Sequence, residues 1–193
     1  MGTATEDRRQ AEQLPEGDVI RILLSQHARI HELFNEVERL QGQERQEAFE
    51  ELRAFLVMHE TGEEMVLRPV TEKIAAEGVA ASRNEEEQEA NEVLEKLQGL
   101  DIDGSDFQAQ FAEFKSSVDE HANSEEQEEF PAVLDSCDRD QRQSMGRRMT
   151  AVEKIAPTRP HPSAAGSPAK QWTVGPFAAL VDRAKDAISG VRD

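Results

Sequence analysis

The sequence predicts an all-α fold, an antiparallel up-down-up-down four-helix bundle, on three observations. Apolar residues recur at helical spacing in four successive segments. Short breaks rich in Gly and Asp separate them, which suits tight helix–helix turns between antiparallel neighbours. Strand signals are nearly missing, because the chain has no Tyr, only 5% aromatic residues and no alternating β-branched run.

Residues 1–17 are polar and close in PEG, which predicts a disordered lead-in. Asp18 then caps a first helix whose apolar positions are Ile20, Leu23, Leu24, Ile30, Phe34 and Val37. Gly42 breaks it. A second helix runs from about Glu44 into the mid-sixties with Ala48, Phe49, Leu52, Phe55, Leu56 and Val66 on one side, and Pro69 should kink or end it before a short continuation to Gly78. A third helix, about Ser82 to Gln98, carries Ala90, Val93, Leu94 and Leu97. A fourth starts near Asp106 with Phe107, Phe111, Phe114 and Val118, and bends at Pro131. These make a bundle domain over 18–154. A Pro/Ser/Ala linker follows over 155–171, and residues 172–193 form a short amphipathic tail helix with Phe177, Leu180, Val181, Ala184, Ile188 and Val191 on its apolar side. The tail can dock on the bundle, bind a protein partner or lie on a membrane; its few basic residues favour docking.

Charge and cysteine usage narrow the function. A formal charge of -18 excludes nucleic acid as a partner, since a phosphate backbone recruits Lys and Arg, and it favours cations. The single cysteine, Cys137 in SCDRD, cannot form an internal disulfide and reads as a reduced surface thiol. No apolar run approaches the roughly 20 residues of a membrane span, and the N-terminus lacks the apolar stretch of a signal peptide, so a cytoplasmic location is expected.

One motif carries chemistry, and it occurs twice. His59, Glu63, Glu64 and Pro69 in HETGEEMVLRP lie 62 positions before His121, Glu125, Glu126 and Pro131 in HANSEEQEEFP. At 100° per residue, Glu63 lies about 40° round the helix from His59, with Leu52 and Val66 within about 20°, so both polar groups share the apolar stripe. The second repeat behaves alike, with Glu125 about 40° from His121 and Phe114 about 20°. Forty of 193 residues are acidic, so one His-x3-Glu arises easily by chance; the repetition, the second Glu, the Pro at the same offset and the inward phase do not. Buried carboxylates beside imidazoles need compensation, which a metal ion supplies directly.

Register brings further donors to that layer. His27 lies 13 residues before Leu40 and His59 lies 14 after Arg45, so the two are level in an antiparallel hairpin. His121 lies level with Glu86 and Glu87 in the second hairpin. His27 sits in the apolar stripe of its helix. His31 shares a face with it through i,i+4 spacing but lies at the stripe's edge, where it is either a ligand, a neighbour of the ligands or a surface histidine. His161 lies in the linker, away from any ligand position. The zincin motif is missing, because Glu63 stands where that pattern needs a histidine.

A histidine on helix one, then His-x3-Glu-Glu with a proline ten residues after the His, then the same on helix four, resembles the hemerythrin-like HHE cation-binding family over about residues 18–135. The PTRPHP linker and the closing LVDR segment resemble actinobacterial members. The resemblance implies two non-heme iron ions in the bundle, with histidines capping and carboxylates bridging. His27, His59, Glu63, His121 and Glu125 match its ligand positions. Where the family has an acid–His pair on helix three, this chain reads EEEQEANEVLEKL and puts Glu87 in the histidine's place; the stripe through Ala90 and Leu94 also reaches Glu87 on the inward face, while Asn91 points about 100° from Ala90. Glu87 or His31 then completes the shell. Oxygen-rich donors suit ferric iron or manganese. The implied function is reaction with oxygen, peroxide or nitric oxide, peroxide disproportionation included, rather than reversible oxygen carriage. Arg68 stands where a Tyr often does, and a chain without Tyr cannot run tyrosyl-radical chemistry. Two other readings compete: a module that senses iron or redox state and signals through its C-terminal tail, and a metal-free acidic bundle whose polar layer serves pairing specificity.

Overall fold

The computed structural model describes residues 3–74, 90 and 92–155, and every regular element among them is helical. In chain order they are α1 (Ala4–Ala11), α2 (Val19–Arg39), α3 (Gly42–Gly62), a π turn (Glu63–Leu67), α4 (Arg68–Ile74), α5 (92–98), α6 (Ser105–Ser124), a second π turn (Glu125–Glu129), α7 (Phe130–Ser136) and α8 (Arg139–Ile155).

The bundle is built from α2, the α3–α4 run, α5 and the α6–α7 run. Asp18 caps α2 as its position predicts, accepting from the Ile20 N–H at 3.1 Å. Gly42 takes a left-handed φ of 57° at the α2–α3 turn, and its N–H donates to Asp103 Oδ2 at 3.0 Å in the α5–α6 turn. Arg45 adds a bond to the Ile102 carbonyl at 3.1 Å. Both hairpin turns therefore meet at one end of the bundle. Below them a core of Ile30, Leu33, Phe34, Phe49, Leu52, Leu97, Phe107, Phe111 and Phe114 joins four helices. A second core at the other end joins Ile20, Leu23, Leu24, Leu67, Phe130, Val133 and Met149. The buried layer of His27, His59, Glu63 and Glu125 lies between the two.

Two sequence expectations are corrected and one is made specific. The disordered lead-in of 1–17 contains α1, capped by Thr3 accepting from the Glu6 N–H and seated on α2 through the buried Ala11 and Asp7. One buried alanine and a cap suffice for a helix this short because α2 supplies the packing surface. Pro69, expected to kink or end its helix before a short continuation, and Pro131, expected to bend its helix, each lie in a run that continues beyond a π turn. The bundle domain of 18–154 also contains a further helix, α8, which buries Met145, Met149 and Val152 against α2 and α3. The predicted continuation to Gly78, the first part of helix three, the linker beyond Ile155 and the tail helix lie outside the described residues. No helix among the described residues is long and apolar enough to cross a membrane. Cys137 is half-buried, and burial pushes its thiol above the usual range, which disfavours the reactive thiolate.

Candidate metal centre

Each repeat of the motif opens a five-residue π turn at its first glutamate. The prolines give the local reason. Pro69 and Pro131 have no N–H for the carbonyls of Met65 and Gln127, four residues back, and their rings crowd those carbonyls. The helix accommodates one extra residue instead, with the Arg68 N–H bonding the Glu63 carbonyl and the Phe130 N–H bonding the Glu125 carbonyl. Both π turns thus sit where inward side chains are crowded at the same level.

The structure brings His27, His59, Glu63 and Glu125 together, with one donor atom from each lying within 4.8 Å of all the others. A second group, Glu60, Glu63 and His121, meets the same limit and shares Glu63 with the first. Glu63 and Glu125 are 0% exposed. His27 Nε2 lies 3.4 Å from Glu125 Oε2, His121 Nε2 3.3 Å from Glu125 Oε1, and His59 Nε2 3.5 Å from Glu63 Oε2. His27 Nε2 and both oxygens of Glu125 are buried with no hydrogen-bond partner among the described residues. Buried nitrogen and carboxylate donors facing one another without hydrogen bonds form the arrangement a cation would satisfy, and imidazole with carboxylate suits iron and manganese. The residues present therefore fit the metal.

The other nitrogen of two histidines is tethered. Glu126 Oε1 lies 2.8 Å from His27 Nδ1, and Gln26 Oε1 lies 2.8 Å from His59 Nδ1. Tethers of this kind orient the imidazole and leave Nε2 for a metal. Without a cation, burial alone would push the His27 imidazole down, but Glu125 and Glu126 outweigh it and lift its pKa to about 9. Burial, helped by the positive charge on His27, lowers His59 to about 3, so His59 presents a neutral ring. Glu125 resists burial because His121 and His27 flank it, and its carboxyl is held well below the usual range. Arg68, 2% exposed, reaches Glu129 Oε1 at 2.6 Å and Glu125 Oε1 at 3.6 Å. A small cavity with room for about one water-sized molecule lies beside the cluster, lined by His27, His31, His59, Glu60, Asp119 and His121.

Of the residues the sequence singled out, His27, His59, Glu63, His121 and Glu125 converge. His31 belongs to neither donor group: its Nε2 lies 3.4 Å from Asp7 Oδ2 and its Nδ1 3.2 Å from Asp119 Oδ1. Glu87 lies outside the described residues. Glu60 and Gln26 are additions, and Glu126, noted only as the second Glu of the motif, proves to hold His27. Glu60 was legible through its i,i+3 relation to Glu63. Gln26, placed by its tertiary neighbours, gave no signal.

Residues 18–133 match the family described as the hemerythrin HHE cation binding domain. An uncharacterized hemerythrin-like protein of Schizosaccharomyces pombe is 31% identical over 136 residues, which covers 69% of this chain and 67% of that protein. No solved structure matches the chain significantly.

Proposed function

Because the chain belongs to the hemerythrin HHE cation-binding family, whose domains bind metal ions, iron typically, we propose that it holds two non-heme iron ions and uses them on oxygen, peroxide or nitric oxide. Manganese suits the same donors. The observation that carries the reading is Glu63, a fully buried carboxylate common to two donor groups, as a bridging ligand is. His27, His59 and Glu125 would complete one position, and Glu60 and His121 the other. Iron there would supply a Lewis acid and an electron source to a small ligand.

The remaining work falls to this chain's own side chains. Glu126 and Gln26 hold the imidazoles of His27 and His59 in place. The apolar cores above and below the layer keep bulk water out, so the carboxylates keep their full attraction for a cation. The cavity beside the cluster has room for about one water-sized molecule, so only a small ligand could reach the cluster from it. His31 and Asp119, on its wall, supply polar groups against that ligand.

The test is the metal content and absorption spectrum of the purified protein, with His59→Ala alongside. Anaerobic loading with Fe(II) followed by air should give a near-ultraviolet charge-transfer band and raise the melting temperature, and a chelator should lower it again. A colourless protein with no iron, whose melting is indifferent to chelators, would instead support the metal-free bundle.

A further inference from the structure

α8 stands outside the four-helix bundle, yet one of its side chains reaches the metal centre through an intermediary. Gln26 Nε2 donates to Glu153 Oε1 at 2.7 Å, and Gln26 Oε1 faces His59 Nδ1 at 2.8 Å. The direction of this chain follows from the chemistry of its ends. An ionised carboxylate only accepts, so the NH2 of Gln26 must face Glu153 and its carbonyl oxygen must face His59. That oxygen can only accept as well. His59 therefore carries its proton on Nδ1 and its lone pair on Nε2, the atom nearest Glu63. Were Glu153 absent, the carboxamide could turn over, offer its NH2 to Nδ1 and select the tautomer whose Nε2 is protonated and cannot hold a cation.

The packing keeps α8 where the chain needs it. Gly62, the residue before the first π turn, lies so close to Met149 of α8 that a Cβ there would run into the Met149 sulfur. Gly146 backs equally closely onto the Gly17 carbonyl between α1 and α2. Arg142 Nε reaches Asp18 Oδ2 at 2.8 Å, tying the start of α8 to the cap of α2. Gln26 itself is 3% exposed, so no bulk water competes strongly for its bonds.

We infer that Glu153, acting through Gln26, is a positioning residue that fixes His59 in the cation-binding tautomer, so that cation binding and the docking of α8 reinforce each other. Linkage makes the effect reciprocal: a cation at His59 tightens the hold on α8, and through it on the point where residues 156–193 begin. The sensing reading of the tail thereby acquires a physical route. The inference rests on His59 being a ligand, as proposed above.

The experiment uses the full chain, freed of metal, as wild type, Glu153→Ala, Glu153→Gln, Gln26→Leu and His59→Ala. Long-range proton–nitrogen correlation spectra read the His59 tautomer, anaerobic calorimetry reads Fe(II) affinity, and circular dichroism checks the fold. Glu153→Ala should convert His59 to a mixture of tautomers and weaken Fe(II) binding by about 10- to 100-fold. Glu153→Gln, whose side-chain oxygen still accepts, should keep most of the wild-type tautomer and affinity. If Glu153→Ala loosens α8, Gln26→Leu carries the same expectation with Glu153 in place. A wild-type tautomer and affinity in both Glu153→Ala and Gln26→Leu overturns the inference. If wild type and His59→Ala bind Fe(II) equally, the ligand reading falls, and the tautomer spectra still decide the positioning role.

Discussion

Arg68 and Phe130 hold the same place in the two copies of the motif, one residue before Pro69 and Pro131, and do opposite things. Arg68 brings a buried positive charge to Glu125 and Glu129. Phe130 stacks on the His27 ring, 5.5 Å between centroids. Other unmatched positions diverge with them: Glu60 stands opposite Ala122, and Leu67 opposite Glu129. The matched residues, two His, four Glu and two Pro, fix where donors go and where the helices widen. The unmatched ones decide how each half is charged, and the halves are therefore unequal although their frames are the same.

Making the first copy resemble the second is the most disruptive test. In the cation-free protein Arg68→Phe leaves Glu129, 0% exposed, without its guanidinium, and removing one partner of a buried ion pair costs about 3–5 kcal/mol. Adding Glu129→Leu, the residue of the matching position, removes the stranded charge, so the double variant should recover most of the loss in denaturant midpoint. A double variant as unstable as the single would mean that volume, not charge, sets the penalty.

Glu60→Ala carries the same idea to the donors, because Ala is what the second copy has there. The variant keeps His27, His59, Glu63 and Glu125 and takes one donor from the group shared with His121. Iron per chain after anaerobic loading should fall by about half, since two remaining protein donors make a poor site. Unchanged iron content would remove Glu60 from the ligand set.

The contrast also marks what could be read from the sequence. The level of His27 with His59 followed from counting residues outward from Gly42, and the rings do meet, with centroids 5.1 Å apart. The inward phase of Glu63 and Glu125 followed from helical periodicity, and both are fully buried. Periodicity could not show that the prolines would be absorbed as π turns, because the neighbouring helices, not the local sequence, keep those runs helical. Nor could it find α1 or α8. Their apolar residues are few, and they exist as helices through surfaces that α2 and α3 offer. His31 shows the limit most sharply, because its place at the stripe's edge was legible but its partners, Asp7 and Asp119, come from α1 and α6.

Glu64 and Glu126 sharpen the comparison at a single matched position. Glu64 is exposed, whereas Glu126 tethers His27 Nδ1 at 2.8 Å. Glu126→Ala should weaken Fe(II) binding by about 10- to 100-fold, and Glu64→Ala should leave it unchanged. Equal losses from the two would point to general surface charge rather than to a held imidazole; raising the salt concentration would then abolish both.

The smallest effect concerns a group that borders only the second copy. Asp7 of α1 is 0% exposed, and burial, with the charge of Glu126 added and those of His31 and His27 partly offsetting it, raises its carboxyl from 3.8 to about 6. A carboxyl whose folded pKa exceeds its unfolded one keeps a proton that the unfolded chain releases, so its contribution to stability is present below about pH 4 and fades as pH rises towards 6. Asp7→Asn removes that dependence. The variant should gain on the wild type across pH 4 to 6 and hold that gain above it, read as the difference between denaturant midpoints. The opposite slope, with the wild type gaining as pH rises, would mean that Asp7 is ionised in the fold and that His31 holds it as an ion pair. In that case α1 would be fastened to the bundle by charge rather than by Ala11 alone.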